Sequence, residues 1–247
     1  MIESSKEKQF LDKLTDTYVM SSTAQDRFMR ELVVRTFEPF INSDSIGLEL
    51  GCSDGYMTEL LSKHLKSMDV ADGSRKFLDM VESRNLPNVK TIHALFEELG
   101  TEKKYDCIFA TYVLEHLLDV QAVLSVVKKL LKPNGMLFIV VPNARSLSRQ
   151  LACQMGLLEG LKSLTPNDLN HGHKRVFDRT DLNRELDKTG LQQISQGGLL
   201  LKPLADFQMS KLMDLEILKE EQLEGLCRLG NEYPDLCSAL FSVCKIK

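Results

Sequence analysis

A carboxylate, two glycines and a serine stand close together in Glu49-Leu50-Gly51-Cys52-Ser53-Asp54-Gly55. Two chemistries share this pattern. Gly51 to Gly55 fits G-x-S-x-G, the sharp turn that exposes a serine nucleophile. The same stretch reads as an acid, then a glycine turn ending a strand, then a helix, an arrangement able to cradle an adenosyl cofactor. Nucleophilic use of Ser53 would need an oxyanion-hole segment of the H-G-G-G kind upstream, and none precedes Gly51. It would need the turn to follow several strands, whereas this turn follows the first. It would also need an acid and then a histidine downstream; His171 and His173 are present, but no acid is marked out. The cofactor reading finds its partner about twenty residues on, at Asp72, where a carboxylate ending the second strand can accept both hydroxyls of a ribose. Gly73 beside it leaves room for a flat base. The spacing lacks the G-x-G-x-x-G that brings a pyrophosphate to a helix N-terminus, so the cofactor need not be a dinucleotide.

These residues must be positioned by regular elements. Residues 23–41 carry Phe28, Leu32, Phe37 and Ile41 near helical spacing. Ile46, Leu48 and Leu50 alternate as in a short strand. Helices are expected over 56–65 and 74–84, the latter capped by Ser74, with strands over 67–71, 89–93 and 105–111. The stripe Leu114, Leu117, Leu118, Val123, Leu124, Val127, Leu130 and Leu131 predicts a helix over 113–131. Pro133-Asn134-Gly135 stops it, and residues 136–141 form a fifth strand. Strands alternating with helices at short connections predict an α/β, doubly wound parallel sheet. After Pro142 the pattern predicts a helix over 145–158, a polar loop over 162–175 and a helix over 180–188. That last helix is capped by Asp178 or Thr180 and stopped by Gly190. A strand starts at Leu191, residues 206–229 are mostly helical, and a terminal strand covers 240–246. The reading is one domain over 1–247, with N-terminal helices (1–41), a cofactor-binding core (42–145) and substrate-side additions with the last strands (146–247).

Composition narrows the function classes. The chain has 247 residues, 43% hydrophobic and 27% charged, enough for a full core. Its net charge is −4 and it has no long basic run, so no nucleic-acid partner is expected. Met1 to Leu14 is charged and lacks the apolar centre of a signal peptide. The longest strongly apolar run, 136–141, is far too short to span a bilayer, so no membrane partner is expected. Six cysteines without a C-x-x-C pair fit reduced, buried thiols and a cytoplasmic location.

Together these motifs resemble the class I S-adenosylmethionine-dependent methyltransferases. Glu49-x-Gly51-x-Ser53-x-Gly55 is similar to that family's first motif, and Val70-Ala71-Asp72-Gly73-Ser74 to its acidic second motif. Tyr105 to Ala110 resembles its fourth strand. Val113-Leu114-Glu115-His116-Leu117-Leu118-Asp119 resembles L-E-H-x-x-D, and Leu131-Lys132-Pro133-Asn134-Gly135-Met136-Leu137 resembles L-K-P-G-G-x-L. The match runs over roughly residues 40–145, and a looser one follows over 171–190 toward the small-molecule branch. The resemblance implies a Rossmann-like, mostly parallel seven-stranded sheet with the last strand antiparallel, and helical insertions that cap a substrate. It implies S-adenosyl-L-methionine as cofactor. Backbone groups at Glu49, Gly51, Cys52 and Gly55 would hold its methionine end, with Ser53 merely small and near the ligand. Asp72 would bind the ribose, with Gly73 beside the base and Ala94, Leu95 and Phe96 flanking the adenine. Ala110, Thr111 and Tyr112 would lie beside the sulfonium.

Methyl transfer from a sulfonium is an in-line displacement in which the protein contributes alignment. A hydroxyl nucleophile must also lose a proton, and His116 is the candidate base. Glu115 is expected to hold nearby backbone. His171 and His173, two apart and without a marked carboxylate partner, do not make a metal site, so no metal is expected. Arg145 and Arg149, with His171, His173, Lys174 and Arg175, would make a cationic mouth for a small anionic acceptor, Tyr112 adding to its lining. The leading function is O- or N-methylation of a small molecule. The alternatives are a methyltransferase acting on protein or RNA, and an inactive interaction protein of the same fold.

Overall fold

A computed structural model of the chain describes residues 7–13, 15, 23–100 and 102–247. The expected N-terminal helices lie partly outside the described residues; residues 7–13 are helical. The strands are β1 (Ile46–Leu50), β2 (Ser67–Asp72), β3 (Val89–His93), β4 (Tyr105–Thr111), β5 (Leu131–Pro142), β6 (Leu191–Leu199) and β7 (Ala239–Ile246). The helices are α1 (Ala24–Phe37), α2 (Tyr56–Ser62), α3 (Arg75–Ser83), α4 (Val120–Leu130) and α5 (Leu147–Gln154), followed by α6 (Pro166–Asn170), α7 (Arg179–Thr189), α8 (Asp206–Asp214) and α9 (Glu220–Glu232).

The strands form one sheet in the order β3-β2-β1-β4-β5-β7-β6. β1 to β5 pair in parallel, and β7 runs antiparallel to both β5 and β6. This is the expected Rossmann-like arrangement. The strand order reverses between β1 and β4, so the turns after these two strands meet at the carboxyl edge, where open α/β sheets bind ligands.

Alternation along the strands divides the core between the two faces of the sheet. On one face Leu48, Ile108, Ala110 and Ile139 pack with Leu114, Val123, Leu124 and Val127. On the other Met68, Val70, Phe109 and Phe138 pack with Val33, Phe37, Leu61 and Leu78. The Phe138 ring stacks on Phe109 at 4.9 Å and meets Phe37 at 5.0 Å. Local chemistry fixes the helix starts. Thr23 and Asp26 form a capping box on α1, Ser74 accepts from the Phe77 N–H on α3, and Asp178 accepts from the Asp181 N–H on α7. Gly190, left-handed at φ 71°, ends α7 as expected. None of the described helices is long and apolar enough to cross a membrane.

The structure departs from the expected elements in four places. The helix expected over 113–131 begins only at Val120. Tyr112 turns the chain at φ 57°, and Asp119 caps α4 by accepting from the Ala122 N–H. Leu114 and Leu117 are buried, but outside any helix, and Leu118 is 69% exposed. Their spacing imitates a helical stripe that tertiary packing does not use. β5 starts at Leu131 rather than 136, because Leu131 pairs with Tyr105 before a register shift. The polar stretch over 162–175 contains α6. The helical stretch over 206–229 is divided between α8 and α9, with Glu216 left-handed at φ 54° in the break.

Candidate active site

The turn after β1 is wound through three left-handed residues, Gly51 (φ 74°), Ser53 (φ 48°) and Gly55 (φ 77°). Gly51 donates its N–H to the Ala71 carbonyl at 2.8 Å, tying the turn to β2. A Cβ on Gly51 would stand 3.1 Å from Val113 Cγ2, and one on Gly55 would stand 2.9 Å from Arg84 Nε. The left-handed backbone favours glycine at both positions, and a side chain there would also crowd Val113 or Arg84. The Asp72 carboxylate is buried; Oδ2 accepts from the Cys52 N–H at 3.0 Å and Oδ1 from the Ser74 N–H at 2.8 Å. The Cys52 thiol lies 3.5 Å from the same Oδ2. Burial pushes the Asp72 pKa up, and the two backbone donors pull it back. A carboxylate offers about four lone-pair sites, so acceptor capacity remains.

Glu49 is fully buried, and its Oε2 accepts from Thr58 Oγ1 at 2.6 Å. Its Oε1 and the buried Ser53 Oγ have no hydrogen-bond partner among the described residues. Burial pushes the Glu49 pKa up to about 8. No imidazole or carboxylate accepts from Ser53 Oγ among the described residues, so nothing there activates it as a nucleophile.

Beside Gly73 the structure places side chains where open room was expected. A Cβ on Gly73 would meet Leu11 Cδ1 at 2.5 Å and Leu95 Cδ2 at 2.9 Å. Leu11 comes from the helical segment over 7–13, whose Asp12 Oδ1 accepts from the Ser74 hydroxyl at 2.5 Å. Ala94 donates its N–H to the Asp72 carbonyl at 3.2 Å, and Phe96 Cζ lies 3.7 Å from the Cβ position of Gly51. Ala94, Leu95 and Phe96 thus gather at the glycine turn and Gly73. The set fits an adenosyl amino acid: an apolar wall, a buried carboxylate with spare acceptor sites, and polar atoms left without partners beside the turn.

The turn after β4 supplies the other side. Thr111 is buried, and the Tyr112 N–H donates to the Val140 carbonyl at 2.8 Å. Burial, with Glu115 nearby, raises the Tyr112 pKa. The Lys174 N–H donates to the Glu115 carbonyl at 2.8 Å, which brings residues 171–175 onto this turn. The His116 and His173 rings then meet nearly edge to face, 4.7 Å between centroids. His173 Nδ1 lies 2.9 Å from Asp168 Oδ1, and Asp168 also accepts from Arg149 at 3.2 Å and from the Thr165 N–H at 2.8 Å. His171 Nδ1 lies 2.8 Å from the Asn167 carbonyl.

Burial, reinforced by His173, holds the His116 pKa down at about 3, far from the value suited to a base at neutral pH. The fully buried Glu115 carboxylate takes no hydrogen bond from another residue among the described residues, and burial pushes its pKa up to about 8; its carbonyl accepts from the Lys174 N–H. Of the expected cationic residues, Arg149 alone is fully engaged by protein partners. Arg149 is spent on Leu161, Ser163 and Asp168 within its own region, Arg145 is exposed, and Arg175 donates to the Leu118 carbonyl at 3.2 Å.

A protein-family profile described as a methyltransferase domain matches residues 21–196, more than half of the chain. The chain belongs to that methyltransferase family. The resemblance carried by Glu49 to Gly55, Asp72 and Val113 to Asp119 is thereby borne out. The methyltransferase is 28% identical over 170 residues to the human mitochondrial ubiquinone biosynthesis O-methyltransferase, covering 65% of this chain and 45% of the human protein. The match therefore spans less than half of that relative's length. It is 25% identical over 181 residues to the ubiquinone biosynthesis O-methyltransferase of Vibrio atlanticus, covering 71% of this chain and 75% of the relative. Among solved structures it is similar to the N-methyltransferase NodS from Bradyrhizobium japonicum in complex with S-adenosyl-L-homocysteine, with a TM-score of 0.62 at 15% identity, covering 96% and 97% of the two chains. A DhpI-SAM-HEP complex gives a TM-score of 0.63 at 16% identity, covering 99% and 97%. At these identities the two structures show the shared fold.

Two groups at this methyltransferase's sheet edge were missed in the sequence. Leu11 carries no motif. Asp168 was legible only as part of the capping box Thr165-Pro166-Asn167-Asp168, a local signal silent about His173.

Proposed function

We propose that this methyltransferase binds S-adenosyl-L-methionine between the turns after β1, β2 and β4 and methylates a small molecule on oxygen or nitrogen. The observation that carries the reading is the Asp72 carboxylate, fixed by the Cys52 and Ser74 amides and retaining acceptor sites for a ribose diol. When bound, the cofactor supplies an electrophilic methyl group on a sulfonium. The Gly51–Gly55 turn presents backbone groups to the methionine end, Ser53 being a small neighbour. Leu95 and Phe96, with Ala94 and Gly73, flank the base, and Leu11 covers it. Thr111 and Tyr112 border the space where an acceptor aligns, and alignment supplies most of the protein's share of the rate. His116 and His173 face that side, and α8 and α9 belong to its cap. Arg145 and Arg175 favour an acceptor carrying a carboxylate or phosphate.

The names of the ubiquinone biosynthesis O-methyltransferases support a small acceptor over protein or RNA. One continuous sheet supports a single domain over 1–247. Six free cysteines support a cytoplasmic location. Calorimetric titration with S-adenosylmethionine and S-adenosylhomocysteine tests the cofactor site. Methyl transfer to a panel of small phenols, amines and hydroxy acids, run beside bulk RNA and protein, tests the acceptor. Binding of neither cofactor form, or transfer to RNA or protein alone, would overturn the reading.

A further inference from the structure

We propose that the groove between α1 and α9 is a docking site for a basic amphipathic helix of a partner protein. The groove has a volume of about 560 Å³ and lies beside the connection from α8 to α9. Its apolar lining comes from Phe28 and Leu32 of α1, Met213 of α8, and Leu218 and Leu223 at and before the start of α9. Leu215 and Ile217 stand in the same connection, 69% and 63% exposed.

Charge selects the occupant. Glu31, Asp214, Glu220 and Glu224 line the groove against a single base, Arg35, whose Nη1 already pairs with Glu224 Oε1 at 2.5 Å. Asp214 and Glu220 have no ion-pair partner among the described residues. Carboxylates around an apolar groove complement lysines and arginines that flank an apolar stripe. Two helices form the walls, and a groove of that kind takes the apolar face of a third helix. A second copy of this chain, set across a twofold axis, would bring carboxylates against carboxylates. Anionic lipid headgroups would meet the same repulsion.

Gly225 supplies an independent observation. It lies inside α9, where glycine weakens a helix relative to alanine. A Cβ there would meet nothing within 4 Å, and the backbone is helical rather than left-handed. The fold of this chain therefore makes no use of the missing side chain, whereas close approach by another helix does. Gly225 opens a second hollow, with Glu221 and Arg228 on its lining, that shares Glu220 and Glu224 with the groove. The seat thus continues along α9 from Glu220 to Arg228, about two turns of helix. This docking surface is independent of the cofactor and acceptor assignments.

The test uses the full chain and a fluorescein-labelled peptide of about 18 residues, with leucines at i, i+3, i+4 and i+7 and lysines elsewhere. A counterpart peptide carries glutamate in place of every lysine. Fluorescence anisotropy should show saturable binding of the lysine peptide, weakened by salt, with the glutamate peptide bound about tenfold less tightly or worse. Asp214→Lys combined with Glu220→Lys should weaken the lysine peptide by about tenfold or more. Gly225→Leu should weaken it as well, by filling the notch, yet melt no lower than the wild type because leucine favours the helix. The charge-matched pair Asp44→Lys with Glu159→Lys, on exposed residues outside the groove, should bind as the wild type does. Equal binding of the two peptides, undiminished binding by the folded groove variants, or an equal loss in the Asp44 and Glu159 double variant would overturn the proposal. So would binding of phosphatidylglycerol vesicles in place of the peptide, or self-association in sedimentation that the groove variants abolish.

Discussion

The Asp72 carboxylate accepts the backbone N–H of Cys52 across 3.0 Å, so the end of β2 holds the glycine turn of β1 directly. The group proposed to bind the ribose also shapes the loop proposed to bind the methionine end. Replacing Asp72 should therefore disturb both ends of the cofactor. A hydrogen bond to a charged group is worth about 1.5–3 kcal/mol, so Asp72→Ala should weaken S-adenosylmethionine binding about ten- to a hundredfold. Calorimetric titration checks this, and unchanged affinity in a folded variant would count against the site.

Ser53→Ala should leave methyl transfer largely intact. The Ser53 hydroxyl has no partner among the described residues, and alanine keeps the side chain small. Steady-state turnover is the measurement; abolished turnover with cofactor binding preserved would restore the nucleophile.

Glu49 makes stability depend on pH. Burial lifts its folded pKa to about 8, against about 4.3 unfolded. Between these values the unfolded chain has released the proton and the folded chain retains it, so this group's contribution falls as pH rises. Below about pH 4 the effect is absent. Glu49→Gln should therefore gain stability relative to the wild type from about pH 5 to pH 8, read from denaturation midpoints of the cofactor-free proteins across that range. A difference independent of pH would refute it.

Arg145→Ala and Arg175→Ala should raise the acceptor KM while leaving the cofactor constant nearly unchanged, if the acceptor carries a carboxylate or phosphate. Arg149→Ala should act differently, lowering the melting temperature, because its guanidinium binds Leu161, Ser163 and Asp168. Separate determination of acceptor and cofactor constants, with thermal melts, distinguishes the two behaviours.

Phe138 lies between Phe109 and Phe37 with no exposed surface. Phe138→Ala should cost about 3–5 kcal/mol of stability through the cavity left in the sheet's central packing. Chemical denaturation measures this, and a loss under about 1 kcal/mol would show that the core collapses around the gap.

The first half of the sheet was legible in the sequence because each signal there is local. Glu49, Gly51 and Gly55 lie within one strand-turn-helix unit, and Asp72 follows one crossover later. Alternation in β1, the apolar run of β4 and the Ser74 cap need only near neighbours to be expressed. The stretch from Val113 to Asp119 misled for the same reason: its leucine spacing is local, but the chain was already committed by the left-handed Tyr112 and the Asp119 cap, with Leu114 buried and Leu118 left in solvent. Tertiary structure alone decided what meets Glu115, His116 and Gly73. His173 reaches His116 across dozens of intervening residues through the Lys174–Glu115 backbone bond, and Leu11 reaches Gly73 from the N-terminal segment. Such contacts depend on how insertions fold back over the sheet edge. Periodicity and capping encode the conformation of a segment, not its neighbour, so the cofactor side could be read from spacing while the histidine–carboxylate cluster required the packed chain.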